Sequence, residues 1–180
     1  MNHSLSVANR RHRLAVGITI AWLAIVVFGF WWFSARFLVP FNETLVSFDG
    51  ASLVALSPDV KGAVTVVAII DPHCPCSGFA EGHWQDLQQR HSGVVFERAT
   101  QDGQWAALAT LVPSSPAVAV WDAAGQLRYF GPFSSGAFCG SGDDFVAMAL
   151  QAIASEEHFF WINQDAVGCF CQRDDLTEET

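Results

Sequence analysis

Residues 64–77 are VTVVAIIDPHCPCS, an apolar run that passes through Asp-Pro into a cysteine pair. Residues 64–70 are a continuous, largely β-branched run ended by Asp71-Pro72, the pattern of a strand buried on both faces, as parallel central strands are. Directly after it, Phe79, His83 or Trp84 and Leu87 recur at three to four residues up to about His91, which predicts a helix. Residues 94–98, VVFER, supply a second strand and complete a strand-helix-strand unit.

Outward from this unit, residues 105–112 form a short helix closed by Pro113. Residues 117–121 and 126–130 are two strands joined by Asp122-Ala123-Ala124-Gly125, a glycine-containing turn that marks a hairpin. A last helix runs from about Asp143 to Ala154, with Phe145, Met148, Ala149, Ala152 and Ile153 on its apolar side. Upstream, residues 44–48 suit a short strand, and residues 51–56 a helical turn or two ending before Pro58. The order combines a parallel unit with an antiparallel hairpin in one sheet. The expectation is an α/β sandwich with helices on both faces of a mixed central sheet.

The chain has 180 residues, enough for one modest domain, and 51% of them are hydrophobic, which excludes a disordered chain. All eighteen acidic residues lie at or after Glu43, whereas four of the nine bases, Arg10, Arg11, Arg13 and Arg36, lie in the first 36 residues. The remainder sets five bases against eighteen acids, a net −13 that repels phosphate backbones and excludes nucleic acid as a partner.

Residues 14–35 are 22 consecutive uncharged residues, which as a helix match a hydrocarbon core about 30 Å thick. Three arginines precede this segment, and only Arg36 and Lys61 follow within thirty residues, so residues 1–13 are expected in the cytoplasm and the rest exported. Cleavage after Ala35 is the competing reading, opposed by the bulky Phe33 where a small residue is wanted. Residues 36–43 read as a tether, followed by a domain over residues 44–155 and a tail over residues 156–180. The apolar His158-Phe159-Phe160-Trp161-Ile162 predicts that this tail packs on the domain. Asn42-Glu43-Thr44 matches a glycosylation sequon.

Five cysteines in an exported domain invite disulfide chemistry, and the odd count leaves at least one thiol unpaired within a monomer. Cys74 falls between the buried strand and the next helix. There the helix dipole, unsatisfied N–H groups and a protonated His73 all favour the thiolate. Cys74 and Cys76 are separated only by Pro75, and a disulfide between them would close a small, constrained ring.

At these residues the chain resembles the thioredoxin superfamily. The similarity lies in the strand feeding Cys74, in Ser115-Pro116 before a strand, and in the hairpin PAVAVWDAAGQLRYFGP. It implies a thioredoxin-like three-layer sandwich over roughly residues 44–155, with Cys74 as the nucleophile and Pro116 as a cis-proline facing it. Ser77 falls where the second cysteine of Cys-x-x-Cys would stand. The anchor, Cys-Pro-Cys-Ser and Gly168-Cys169-Phe170-Cys171 are also similar to a family of uncharacterised bacterial membrane-anchored thioredoxin-like proteins. That resemblance implies the inner membrane, with the domain in the periplasm.

Cys139 lies in the loop between hairpin and last helix, on the active-site side in such a fold, and is a candidate resolving cysteine or third ligand. Its bland alternative is a buried loop residue. The tail is long enough to bring Cys169 and Cys171 back to the same end, as tail-locking disulfides or as ligands. His83 and His91 lack a ligand-pair spacing, Asp143-Asp144 reads as a helix N-terminal charge pair, and no P-loop, dinucleotide fingerprint or Ser-His-Asp signature is present.

The leading expectation is an exported thiol-disulfide oxidoreductase acting on protein disulfides or a redox partner, with Cys74 attacking and Cys76 or Cys139 resolving, and no cofactor. One alternative is a copper or zinc module using Cys74, Cys76, Cys169 and Cys171. The other is an anchored adaptor whose cysteines are structural.

Overall fold

The computed structural model describes residues 2–42, 50–58, 62–100, 102–136, 139 and 142–173. It divides into two units, Met1–Arg36 and Phe37–Thr180. The first is helical. Helix α1 (Asn2–Phe37) has 36 residues. Among the described residues it contains the one segment long and apolar enough to cross a membrane, Arg10–Ala35, with mean hydropathy 2.3.

The second unit begins with β1 (Val39–Pro40) and α2 (Gly50–Ala55). The strand expected at residues 44–48 lies outside the described residues. Next come β2 (Thr65–Ile69), α3 (Ser77–Arg90), β3 (Val95–Arg98), α4 (Ala106–Leu111), β4 (Ser114–Ser115), β5 (Ala117–Trp121) and β6 (Leu127–Gly131). The chain closes with α5 (Phe145–Ala154), β7 (Trp161–Ile162), β8 (Val167–Gly168) and β9 (Cys171–Gln172).

The central sheet has the order β3-β2-β5-β6-β7. β2 pairs parallel with β3 and antiparallel with β5, and β5 pairs antiparallel with β6. The mixed α/β architecture expected from the sequence is the one observed. Every residue of β2 and of β5 is buried, because both faces are covered. Val66, Ala68, Val118 and Val120 meet Trp84 and Leu87 of α3 and Val146 and Ala149 of α5. Val67, Ile69, Ala119 and Trp121 pack in a second cluster with Leu53 of α2 and Leu108 of α4. Two successive apolar layers explain why residues 64–70 carry no polar alternation. The β5–β6 turn needs Gly125, whose φ of 77° few other residues adopt cheaply.

Two sequence expectations change. The described part of the segment expected as a tether, residues 36–42, is structured: α1 runs through Phe37, β1 pairs antiparallel with β8, and Phe41 is fully buried. Phe41 is apolar and rests edge-on against Phe130 and Phe170, which fixes this segment in the core. Asn42, the sequon asparagine, is buried and donates to Gln164 Oε1 at 3.0 Å.

The domain also does not end at residue 155. β7 adds to the central sheet beside β6, in parallel, and Trp161 packs on Tyr129 and Phe145 with ring centroids 5.6 and 5.2 Å away. The phase of α3 shifts as well, since Ala80 is buried and Phe79 is 39% exposed.

Helix α5 starts at Phe145, one residue after its cap. Asp144 Oδ1 accepts from the Ala147 N–H at 2.9 Å, and its carboxylate lies 3.3 Å from His83 Nε2 and 3.2 Å from Arg90. Burial raises the Asp144 pKa, but His83, the Ala147 N–H and Arg90 outweigh it and leave the group below its ordinary value. Asp144→Ala is therefore expected to cost about 1 kcal/mol at neutral pH, the usual loss for an N-cap. A depressed carboxylate stabilises above its unfolded pKa of about 4, and that stability is lost as pH falls through the folded value. Urea unfolding of the Asp144→Ala chain and its parent at pH 7 and pH 3 checks this. A gap between the two that persists undiminished at pH 3 would contradict it.

Candidate functional site

The site is assembled where β2 gives way to α3. Asp71 ties the turn together: its side-chain Oδ1 accepts from the His73 N–H at 2.8 Å, and its carbonyl accepts from the Cys74 N–H at 3.1 Å and from the Ser77 hydroxyl. The Asp71 N–H in turn donates to Ser115 Oγ at 2.8 Å, joining the turn to β4. Cys76 is the N-cap residue of α3, and its carbonyl accepts from the Phe79 and Ala80 N–H groups. Cys74 thus lies three residues before a 14-residue helix, whose dipole favours a thiolate. Ser77, at the place of a second thiol in Cys-x-x-Cys, is buried and serves as a latch on Asp71.

β4 faces this turn. Cys74 Sγ lies 3.5 Å from the Ser115 carbonyl oxygen, and the Ser115–Pro116 peptide bond is cis. The other partner of β4 is the tail. β9 pairs antiparallel with it, Ser115 opposite Cys171 and Ser114 opposite Gln172. The Arg173 N–H donates to the Pro113 carbonyl at 3.0 Å, and Gln172 Nε2 to the Pro40 carbonyl at 2.7 Å.

This pairing fixes the sulfur connectivity. Cys74 is bonded to Cys171 and Cys76 to Cys169, with Cα–Cα distances of 5.8 and 5.6 Å. The resulting cluster is compact: the Sγ atoms of Cys74, Cys76 and Cys171 all lie within 4.8 Å of one another. Cys74, Cys76 and Cys169 are 5–6% exposed, and Cys171 is half-buried. Close approach is enforced at Gly168, where a Cβ would stand 2.8 Å from the Gly136 carbonyl oxygen.

Of the residues singled out in the sequence, the structure brings Cys74, Cys76, Cys169, Cys171 and Pro116 to one place. The small Cys74–Cys76 ring does not form, because each cysteine is taken by the tail. His73 belongs to the turn, but its ring is 92% exposed and sits 3.2 Å from Asp71 Oδ1. Cys139 is separate. It is a free thiol packed against the α3–α5 side of the core, and burial pushes its pKa up to about 11 against an opposing hydrogen bond to Ser134.

The sequence shows Asp71 as a strand end and Ser115 before Pro116, but not their hydrogen bonds in the site, and it does not show β9. A signal for β9 was present nonetheless. Both cysteine pairs have the same Cys-x-Cys spacing, and the structure joins them crosswise, 74 with 171 and 76 with 169.

No curated protein matches the chain. Among solved structures, an uncharacterised conserved protein from Geobacillus kaustophilus is similar at 17% identity, over 64% of this chain and 80% of its own, with a TM-score of 0.46. A hypothetical protein from Sinorhizobium meliloti 1021 is similar at 14% identity, over 61% and 79%, with the same TM-score. A family model defined as a domain of unknown function matches residues 46–173, most of the second unit and all four clustered cysteines. The chain belongs to that family, DUF6436.

Proposed function

We propose that the protein is a membrane-anchored, thioredoxin-like thiol-disulfide oxidoreductase whose nucleophile is Cys74 and whose resolving cysteine is Cys171. The observation that carries this reading is the Cys74–Cys171 bond itself. It joins a cysteine before a helix N-terminus to an extended strand paired with β4, beside cis-Pro116. β9 thereby occupies an edge on which an extended segment of another polypeptide can pair by backbone hydrogen bonds, with its own sulfur at Cys74.

The exchange is balanced. In the reduced protein the Cys74 thiolate attacks one sulfur of a polypeptide disulfide R–S–S–R′, forming Cys74–S–S–R and releasing R′–S⁻. The Cys171 thiolate then attacks Cys74 Sγ, closing Cys74–Cys171 and releasing R–S⁻. Two electrons pass from the cysteine pair to the substrate. Because Cys74 is 5% exposed under β9, the tail must leave the β4 edge before a substrate strand can take its place.

Three arginines before the apolar segment support a cytoplasmic N-terminus, and the disulfides support an oxidising compartment, the periplasm of a bacterium with the anchor in its inner membrane. The substrates are then exported polypeptides or a redox partner. A Cys171→Ser chain, with Cys76–Cys169 still oxidised, leaves Cys74 without its resolving partner. Incubated with a disulfide-containing polypeptide and quenched in acid, it should accumulate a mixed disulfide that peptide mass mapping assigns to Cys74. A mixed disulfide on Cys139 instead would sink the proposal.

A further inference from the structure

We infer that the four clustered cysteines, once reduced, form a tetrahedral thiolate site for one zinc ion, so that the two disulfides and the metal are alternative occupants of the same place. Two Cys-x-Cys segments already face each other, and three sulfurs lie within 4.8 Å of one another, with Cys169 bonded to one of them. A tetrahedral site with Zn–S of about 2.3 Å needs sulfur–sulfur separations of about 3.8 Å. Bonded sulfurs must part to that distance and the unbonded ones close to it, which side-chain rotation supplies while β4 and β9 stay paired.

The donor set is all sulfur. His73, the neighbouring imidazole, is 92% exposed and sits beside Asp71. Four thiolates that are mostly shielded from water form the closed, saturated shell characteristic of structural zinc. The net charge of such a centre is −2, and the N-terminus of α3 at Cys76 offers it a favourable dipole.

The redox step is explicit. Two equivalents of a dithiol reductant supply four electrons and four protons, converting two disulfides to four thiols while the reductant becomes disulfide. Zinc binding then releases four protons. Two equivalents of a disulfide oxidant take four electrons from the four thiolates of the loaded centre and, with four protons from solvent, become dithiols, which closes the two protein disulfides and expels the ion.

This inference uses the same cysteines as the exchange reading but does not require exchange, and the two fail separately. A chain that takes up zinc but forms no mixed disulfide at Cys74 refutes only the exchange. A chain that exchanges disulfides but takes up no zinc refutes only the metal site.

The test uses the full chain in detergent, reduced, freed of reductant without air and titrated with Co²⁺ as a spectroscopic substitute, then with Zn²⁺. The expected result is one Co²⁺ per chain with the intense visible bands of a tetrahedral four-thiolate centre, displaced by one equivalent of Zn²⁺. The untreated, oxidised chain should bind at least a hundredfold more weakly, a comparison that needs no variant. Adding a thiol oxidant to the zinc-loaded chain should release one zinc as four thiols disappear. Cobalt bands that persist in the oxidised chain, absent uptake by the reduced chain, or uptake of Cu(I) without Co²⁺ or Zn²⁺ would each overturn the inference.

Discussion

Removing both disulfides, by alanine at Cys74, Cys76, Cys169 and Cys171, should lower the unfolding free energy by about 7 kcal/mol, while removing either pair alone should cost only about 2 kcal/mol. The asymmetry follows from nesting. The Cys74–Cys171 bond spans 97 residues and the Cys76–Cys169 bond 93, so either one alone closes a long loop worth about 4.7 kcal/mol in unfolded-chain entropy. With one in place, the other closes a ring of only about six residues, worth about 2 kcal/mol. Urea unfolding of the full-length variants in detergent, followed by near-ultraviolet circular dichroism, measures the three losses. Equal and additive losses of 4–5 kcal/mol per pair would show that the two bonds do not constrain the same loop.

Serine at Cys74 should reduce disulfide exchange to the uncatalysed background, while serine at Cys139 should leave it unchanged. The two thiols sit in opposite environments. Cys74 precedes a helix N-terminus, whose dipole favours a thiolate, and it is bonded to Cys171. Cys139 is packed against the other core with its pKa pushed up to about 11, so about one molecule in ten thousand carries the thiolate at pH 7. A hydroxyl cannot replace a sulfur in a disulfide, which makes the first effect all-or-none.

The buried strand at residues 65–69, the helix behind Cys74 and the β5–β6 hairpin were legible because period and punctuation coincide there: an unbroken apolar run, a Pro, a Gly-containing turn. The two-residue strands β1, β4, β7, β8 and β9 were not. A strand of two residues has no period to read, and these form through pairings with segments far away in sequence, as Ser115 with Cys171. The same limit hid the site. The cysteines were visible as reactive residue types, but their partners depend on a tail that returns because Phe170 is buried and the half-buried Trp161 packs on Tyr129 and Phe145. Phe79 was misread as inward for a simpler reason: in a helix whose apolar residues are few, Ala80 and Ser77 can take the buried face.

In the proposed exchange, electrons leave the protein for a polypeptide disulfide at Cys74. The most direct measurement of this step is the initial rate at which the reduced full chain, the Cys74→Ser chain and the Cys139→Ser chain in detergent release thiols from a disulfide-bonded polypeptide. The parent and Cys139→Ser should release thiols at equal rates and Cys74→Ser at the background rate. A Cys74→Ser chain that turns over at the parent's rate would contradict it.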